Sequence, residues 1–205
     1  MAIARVLLCC ICIAVLNSEH ATRLYHKIRR TNIYAPIHRR VFDFDRIDRH
    51  VLLGRQPRNE ADLRALRDNN VSAVLCLTQP WELYVPPEVY RTYSLERLAL
   101  PTCDFGAPSM EQLRLGLSFI HEHRSRGECV YIHCNAGKGR SGVMAVAYYL
   151  SEYVDRRQSA YAMASEATRK VRMRRPALSS LLDYYPLTAQ ARIVRTFATR
   201  VRLPA

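Results

Sequence analysis

Short runs of apolar residues alternate along the chain with longer stretches in which apolar residues recur every three or four positions. The short runs predict β-strands at residues 51–54, 71–77, 95–100 and 129–133. The periodic stretches between them predict helices. Because strands and helices alternate, the pattern predicts an α/β domain with a mainly parallel central sheet flanked by helices.

Two of the predicted helices begin with capping residues. Asn59 stands two positions before one helical stretch, residues 61–69, and is placed to cap it. Ser109 and Gln112 have the spacing of a capping box at the start of another. The apolar residues that repeat at helical spacing, and that we expect in the core, are Leu63, Leu66, Met110, Leu113, Leu117, Ile120, Tyr161, Ala164, Ala167 and Val171.

Around Cys134 the pattern predicts a strand, a glycine-containing turn and a helix in direct succession. The apolar strand leads into Cys134, and residues 141–153 read as a buried helix. Backbone N–H groups of a tight turn that enters a helix point into the turn, and the helix dipole adds partial positive charge, so the turn favours a phosphate dianion. Gly137 and Gly139 allow the backbone to close around that anion.

The side chains of this turn add a nucleophile to the anion site. Arg140 offers a planar fork of donors that matches two phosphoryl oxygens. Thiols at helix N-termini titrate at about 3.5–7.5 instead of near 8.5, so we expect Cys134 to be a nucleophilic thiolate. The Ser141 hydroxyl would donate to its sulfur and ease expulsion of the thiolate. The alternative is that Cys134 is a buried structural thiol, the usual state of a free cysteine.

The predicted phosphate-binding residues form one continuous stretch. His133 is expected to orient the turn rather than to transfer protons. Lys138 is expected either to contact a second anionic group or to be a solvated lysine. The phosphate-binding set consists of His133, Asn135, Ala136, Gly137, Lys138, Gly139 and Arg140.

The stretch from His133 to Ser141 resembles the His-Cys-x5-Arg-Ser/Thr signature of cysteine-dependent protein tyrosine and dual-specificity phosphatases. These enzymes also need a general acid to protonate the leaving oxygen, and the family carries it as an aspartate on a mobile loop that precedes the cysteine. Asp104 matches that position, 30 residues before the cysteine. The alternatives are that Asp104 is a solvated loop residue, and that Glu111, at the start of the next helix, is the acid. The resemblance implies catalysis without a metal or another cofactor.

Further matches resemble one branch of this family. Residues 51–57 are similar to the first strand of dual-specificity phosphatases, residues 70–77 to the second, and Arg175-Pro176 to a closing Arg-Pro segment. Together they resemble the mitochondrial tyrosine phosphatases that convert phosphatidylglycerophosphate to phosphatidylglycerol in cardiolipin synthesis. Asn135 stands where tensin-related lipid phosphatases have a lysine. The alternatives are a dual-specificity protein tyrosine, serine or threonine phosphatase, a phosphoinositide phosphatase, and a catalytically silent phosphate-binding adaptor.

The formal net charge of the 205-residue chain is +13, and arginine supplies most of the excess. Such a field favours anionic partners. No nucleic-acid-binding motif is present, and aromatic residues are not interleaved with the basic runs, so we expect a phospholipid or phosphoprotein substrate and a membrane surface rather than nucleic acid. The alternative is that the arginine-rich faces are solvated. The seven cysteines are an odd number and contain a single Cys-x2-Cys pair, Cys9 and Cys12 in the apolar N-terminal run, which indicates neither a disulfide framework nor a zinc site.

We expect three segments: an apolar and then basic N-terminal segment (1–40), a catalytic domain (41–185) and a basic C-terminal helix or tail (186–205), in a monomeric protein. The apolar run at residues 6–16 is too short to span a bilayer. Its basic continuation favours mitochondrial targeting and association with the inner membrane. The alternatives are a secretory signal peptide, which the reactive thiol disfavours, and an endomembrane anchor acylated at its cysteines, Cys9, Cys10 and Cys12.

Overall fold

The computed structural model of the protein describes residues 23, 27, 42–178, 182 and 188–201. The described strands are β1 (Phe44–Arg46), β2 (Val51–Arg55), β3 (Val71–Cys76), β4 (Glu96–Ala99) and β5 (Cys129–Cys134). The described helices are α1 (Glu60–Asp68), α2 (Val89–Thr92), α3 (Met110–Ser125), α4 (Arg140–Tyr153), α5 (Ala160–Arg174) and α6 (Ala189–Val201), and a 3-10 turn covers Pro80–Glu82.

The five strands form one sheet in the order β1-β2-β5-β3-β4. β5 lies in the middle and pairs in parallel with β2 and β3, and β4 pairs in parallel with β3. Only β1, at the edge of the described sheet, is antiparallel to its neighbour. The prediction of a mainly parallel sheet flanked by helices is confirmed. The nucleophile candidate Cys134 ends the central strand, at the edge where parallel strands present their carboxyl ends.

Both predicted helix caps are present. The Asn59 side chain accepts a hydrogen bond from the Asp62 N–H, and α1 begins at Glu60. Ser109 and Gln112 form the reciprocal capping box of α3. These two starts follow from local residue chemistry, which explains why the sequence alone located them.

Successive residues of the central strands face opposite sides of the sheet. Ile132 faces the larger apolar cluster, to which α3, α4, α5 and α6 contribute, whereas Tyr131 faces a smaller cluster covered by α1. The prediction that Tyr161 belongs to the core is wrong, because its side chain is 61% exposed. Met163 is buried instead, together with Ala167 and Val171. The buried side of α5 therefore begins at Met163 rather than at Tyr161 and keeps the predicted Ala167 and Val171.

The predicted C-terminal helix is present as α6, and Leu187, its predicted first residue, lies outside the described residues. Val194, Phe197 and Ala198 are buried in the larger cluster, so the apolar side of α6 packs against the domain. The features predicted for residues 1–40 lie outside the described residues, apart from Arg23 and Lys27. In the part of the chain that is described, no helix has both the length and the apolar character needed to cross a bilayer.

Candidate active site

Cys134 occupies the junction between β5 and the loop that leads into α4. Its side chain is 3% exposed. The Ser141 hydroxyl, in the first turn of α4, donates a hydrogen bond to the Cys134 sulfur across 3.2 Å. Residues 135–139, named the phosphate loop below, connect the two, and Gly139 is the N-cap of α4. The structure therefore places the sulfur at a helix N-terminus, beside a hydroxyl donor.

Gly137 has a backbone conformation and a position that exclude a side chain. Its φ is +68°, in the left-handed region. A Cβ at this position would lie 2.3 Å from the carbonyl carbon and oxygen of Gly54, on β2. The phosphate loop therefore packs directly on the backbone of the neighbouring strand.

Arg140 is held by a buried carboxylate that the sequence analysis did not single out. Glu82, in the 3-10 turn, accepts hydrogen bonds from Nη1 at 2.7 Å and from Nη2 at 2.8 Å, and both side chains are 1% exposed. Nη1 also donates to the Thr102 carbonyl at 2.9 Å. The Nε of Arg140 is buried and has no partner among the described residues. The two terminal nitrogens, which form the outer edge of the guanidinium, are thus fixed, while Nε remains available to an anion.

The electrostatics of Arg140 keep it charged. Burial acts to lower its pKa, but the hydrogen bonds of Glu82 and the negative charges of Cys134 and Asp104 outweigh burial and raise it. A buried guanidinium that stays charged supplies a constant positive charge beside the phosphate loop.

Asp104 lies in this site, whereas Glu111 does not. Asp104 Oδ1 is 3.0 Å from Arg140 Nη2, and its side chain is 19% exposed. The Phe105 N–H donates to the same carboxylate, and Phe105 has a φ of +61°, which is unusual for a side chain of that size. Glu111 is 69% exposed in the first turn of α3, where it pairs with Arg114. Of the two acids considered, only Asp104 reaches the guanidinium.

The remaining loop residues are partly or fully enclosed. His133 is completely buried, and its Nδ1 lies 3.3 Å from the Cys134 carbonyl oxygen. Asn135 accepts a hydrogen bond from the Gln56 side chain at 3.0 Å. Ala136 and Lys138 are half-buried. Each predicted phosphate-binding residue therefore lies in the phosphate loop or within two residues of it, and Gln56 is an additional support.

Arg175 is a second supporting residue whose role the sequence did not reveal. Its side chain is 1% exposed, and its Nε donates to the Gly137 carbonyl at 2.8 Å. Its two terminal nitrogens donate to Asp45 at 2.6 Å and to Asp43 at 3.0 Å. Because Arg175 binds the Gly137 carbonyl, the orientation of this peptide in the phosphate loop is fixed. The only sequence signal was the Arg-Pro pair.

Cys76, on β3 beside His133, is a second buried thiol with an altered titration. It lies opposite His133 of the neighbouring strand β5, and its sulfur accepts a hydrogen bond from Arg97 at 3.2 Å. Burial acts to raise its pKa, but the charge and hydrogen bond of His133, with smaller contributions from Arg97 and Thr78, lower it to about 6. The described residues contain no group of His, Cys, Asp and Glu side chains that could hold a metal ion.

A protein-family model described as "PTP-SAK: Swiss Army Knife protein, DSP-PTPase phosphatase domain" matches residues 44–181. Among curated proteins, the chain is similar to the phosphatidylglycerophosphate phosphatase PTPMT1 of Arabidopsis thaliana, with 31% identity over 143 residues, 69% of this chain and 42% of that protein. It is also similar to phosphatidylglycerophosphatase and protein-tyrosine phosphatase 1 of Homo sapiens, with 30% identity over 159 residues, 75% of this chain and 79% of that protein.

The chain spans about half the length of the first two curated relatives, 42% of Arabidopsis PTPMT1 and 56% of Arabidopsis PTPMT2. Among solved structures it resembles the crystal structure of PTPMT1, with a TM-score of 0.65 and 28% identity, over 78% of this chain and 96% of that chain. The family match covers the sheet, the phosphate loop, Asp104 and Arg175. The chain belongs to the dual-specificity and protein tyrosine phosphatase (DSP-PTPase) family.

Proposed function

We propose that this protein hydrolyses phosphate monoesters through a phosphocysteine intermediate, and that its substrate is phosphatidylglycerophosphate. The observation that carries the reaction is the convergence of three groups. Cys134 lies at the start of the phosphate loop with Ser141 on its sulfur, and Arg140 and Asp104 lie 3.0 Å apart beside it. A nucleophile, an anion-binding guanidinium and a proton donor are the groups that phosphomonoester cleavage requires.

In the first step, the Cys134 thiolate attacks phosphorus and the phosphorus–oxygen bond to the alcohol breaks. Protonated Asp104 gives its proton to the departing oxygen. Arg140 and the backbone N–H groups of the phosphate loop hold the remaining phosphoryl oxygens, whose charge is spread in the transition state.

In the second step, the Asp104 carboxylate takes a proton from a water molecule, and the resulting hydroxide attacks phosphorus. The sulfur–phosphorus bond breaks and inorganic phosphate leaves. Ser141 stabilises the departing thiolate because its hydroxyl is already directed at the sulfur. The enzyme then returns to the thiolate form with Asp104 protonated.

The names of the relatives and the net charge of this chain support a lipid substrate. The Arabidopsis and human relatives carry phosphatidylglycerophosphate phosphatase names, and one solved structure of PTPMT1 contains PI(5)P. The net charge of +13 favours anionic lipid surfaces.

We also propose a mitochondrial, membrane-associated location, because residues 1–40 contain Glu19 as their single acid among several arginines. Import of a fluorescently labelled chain into isolated mitochondria tests the location.

The decisive experiment compares three substrates with the purified protein: phosphatidylglycerophosphate in mixed micelles, a phosphoinositide in the same micelles, and a panel of phosphopeptides. We expect kcat/KM to be highest for phosphatidylglycerophosphate. Higher kcat/KM on phosphopeptides would instead make the protein a dual-specificity protein phosphatase. Cys134→Ser should abolish turnover while retaining binding of inorganic phosphate. Failure of the unmodified protein to hydrolyse any phosphate monoester would refute the phosphatase function.

A further inference from the structure

The loop that carries Asp104 is attached to the rest of the protein on both sides of the aspartate. On one side, Arg140 Nη1 donates to the Thr102 carbonyl at 2.9 Å. On the other side, Gln190 Nε2 donates to the Gly106 carbonyl at 3.1 Å. Asp104 lies between these two carbonyls, so its position over the phosphate loop depends on both attachments.

Gln190 is a polar side chain in a buried position. It is 2% exposed, and its Oε1 is buried and accepts no hydrogen bond from the described residues. A Cβ built on Gly139 would lie 2.7 Å from Gln190 Nε2. The amide therefore packs against the phosphate loop while it bonds the loop of Asp104. A buried amide with one hydrogen bond costs free energy, which indicates that its position serves the site.

The backbone around Gln190 is well fixed. The Thr188 hydroxyl accepts a hydrogen bond from the Ala191 N–H and caps the first turn of α6. Val194 and Ala198 anchor the same helix in the larger apolar cluster at 2% and 0% exposure. A side chain on a capped and packed helix is a rigid support for a loop.

The loop itself needs such support. Phe105 adopts a φ of +61° directly after Asp104. A left-handed conformation costs a residue of this kind roughly 1–2 kcal/mol relative to the right-handed region, so this part of the loop would relax if its attachments were removed.

We propose that Gln190 is a positioning residue for the phosphatase reaction, because it holds the Asp104 loop against the phosphate loop. The proposal rests on the proposed function, since it assumes that Asp104 is the proton donor. It gives α6 a role in catalysis, although this helix lies outside residues 44–181, the range that the family model matches.

The test uses leaving-group dependence. Gln190→Met keeps the size of the side chain and removes the donor. We measure kcat/KM, which reports the first step, in which the alcohol departs, and not the later hydrolysis of the phosphocysteine. On an alkyl phosphate, whose leaving oxygen needs a proton, we expect kcat/KM to fall about tenfold to hundredfold. On an aryl phosphate with an acidic phenol as leaving group, we expect kcat/KM to change by less than about threefold, because proton donation matters little there. Arg192→Met, an exposed change in the same helical turn, should leave both activities unchanged.

A double-mutant cycle with Asp104→Asn separates positioning from general damage. In the Asp104→Asn background, Gln190→Met should reduce kcat/KM on the alkyl phosphate by less than about twofold, because the group it positions has been removed. An equal loss of kcat/KM on both substrate types, full additivity with Asp104→Asn, or weakened binding of inorganic phosphate would overturn the proposal. If Asp104→Asn alone showed no leaving-group dependence, the proposed role of Asp104 would fail, and Gln190 would not be the cause.

Discussion

Glu82 offers the sharpest test of how the site is built. Glu82→Gln keeps the shape of the side chain but replaces one carboxylate oxygen by an N–H donor that faces the Arg140 guanidinium. The two bonds, at 2.7 and 2.8 Å between side chains that are each 1% exposed, belong to the class of buried ion pairs whose disruption costs about 3–5 kcal/mol. Arg140 retains Asp104 and the Thr102 carbonyl as partners, so we expect a loss of about 3 kcal/mol.

The loss should appear in two measurements. A loss of about 3 kcal/mol lowers the melting temperature by about 6–12 °C in a protein of this size, and urea unfolding should show a lower midpoint with an unchanged slope. Because the outer edge of the guanidinium is no longer fixed, we expect kcat/KM on a phosphate monoester to fall about 100-fold.

Glu88→Gln is the matched control, because it makes the same charge change on an exposed glutamate, the N-cap residue of α2. It should alter neither stability nor turnover. If Glu82→Gln unfolded at the same urea concentration as the unmodified protein and kept its kcat/KM within about threefold, the argument that Glu82 orients Arg140 would be wrong.

Three further predictions concern the supports of the phosphate loop and the second thiol. Gly137→Ala should abolish phosphate binding. The control is Gly127→Ala, at a glycine that shares the positive φ but has no atom within 4 Å of the added Cβ; it should cost only about 1 kcal/mol of stability and leave phosphate binding unchanged. Equal effects of the two substitutions would refute the packing argument. Arg175→Met should weaken phosphate binding at least tenfold, measured by competitive inhibition, because it releases the Gly137 carbonyl; unchanged inhibition would contradict its role. The pKa of Cys76, lowered to about 6, means that the folded protein binds fewer protons than the unfolded chain between about pH 6 and the ordinary thiol value near 8.5. In a Cys134→Ser background the free energy of unfolding should therefore rise with pH across that window, and Cys76→Ser should flatten the rise.

The sequence predicted those parts of the structure that depend on neighbouring residues. The strand, loop and helix around Cys134 are contiguous, and local patterns therefore specify them. The helix stripe at Tyr161 was misplaced because apolar residues occupy two adjacent spacings there, and only the packing of α5 chooses between them. Local periodicity carries no information on which of two similar faces meets the core.

The supports of the site could not be predicted, because their contacts join distant parts of the chain. Glu82 meets Arg140 across 58 positions, and Gln190 meets Gly106 across 84. Nothing in the immediate surroundings of these residues distinguishes them from solvated polar side chains. Their roles follow only from burial and from the topology that brings the loops together.

The bonds of Arg175 also bear on when the protein becomes functional during its synthesis. They join Arg175 to Asp45 and Asp43, 130 and 132 positions earlier, and contacts at such separation form late in folding. The ribosome adds Cys134 to the chain well before Arg175, and Cys134 also leaves the ribosome first. A nascent chain therefore carries Cys134 before the loop around it has its outer support, and phosphate binding reaches full strength only after Arg175 has been made and has closed the longest of these contacts.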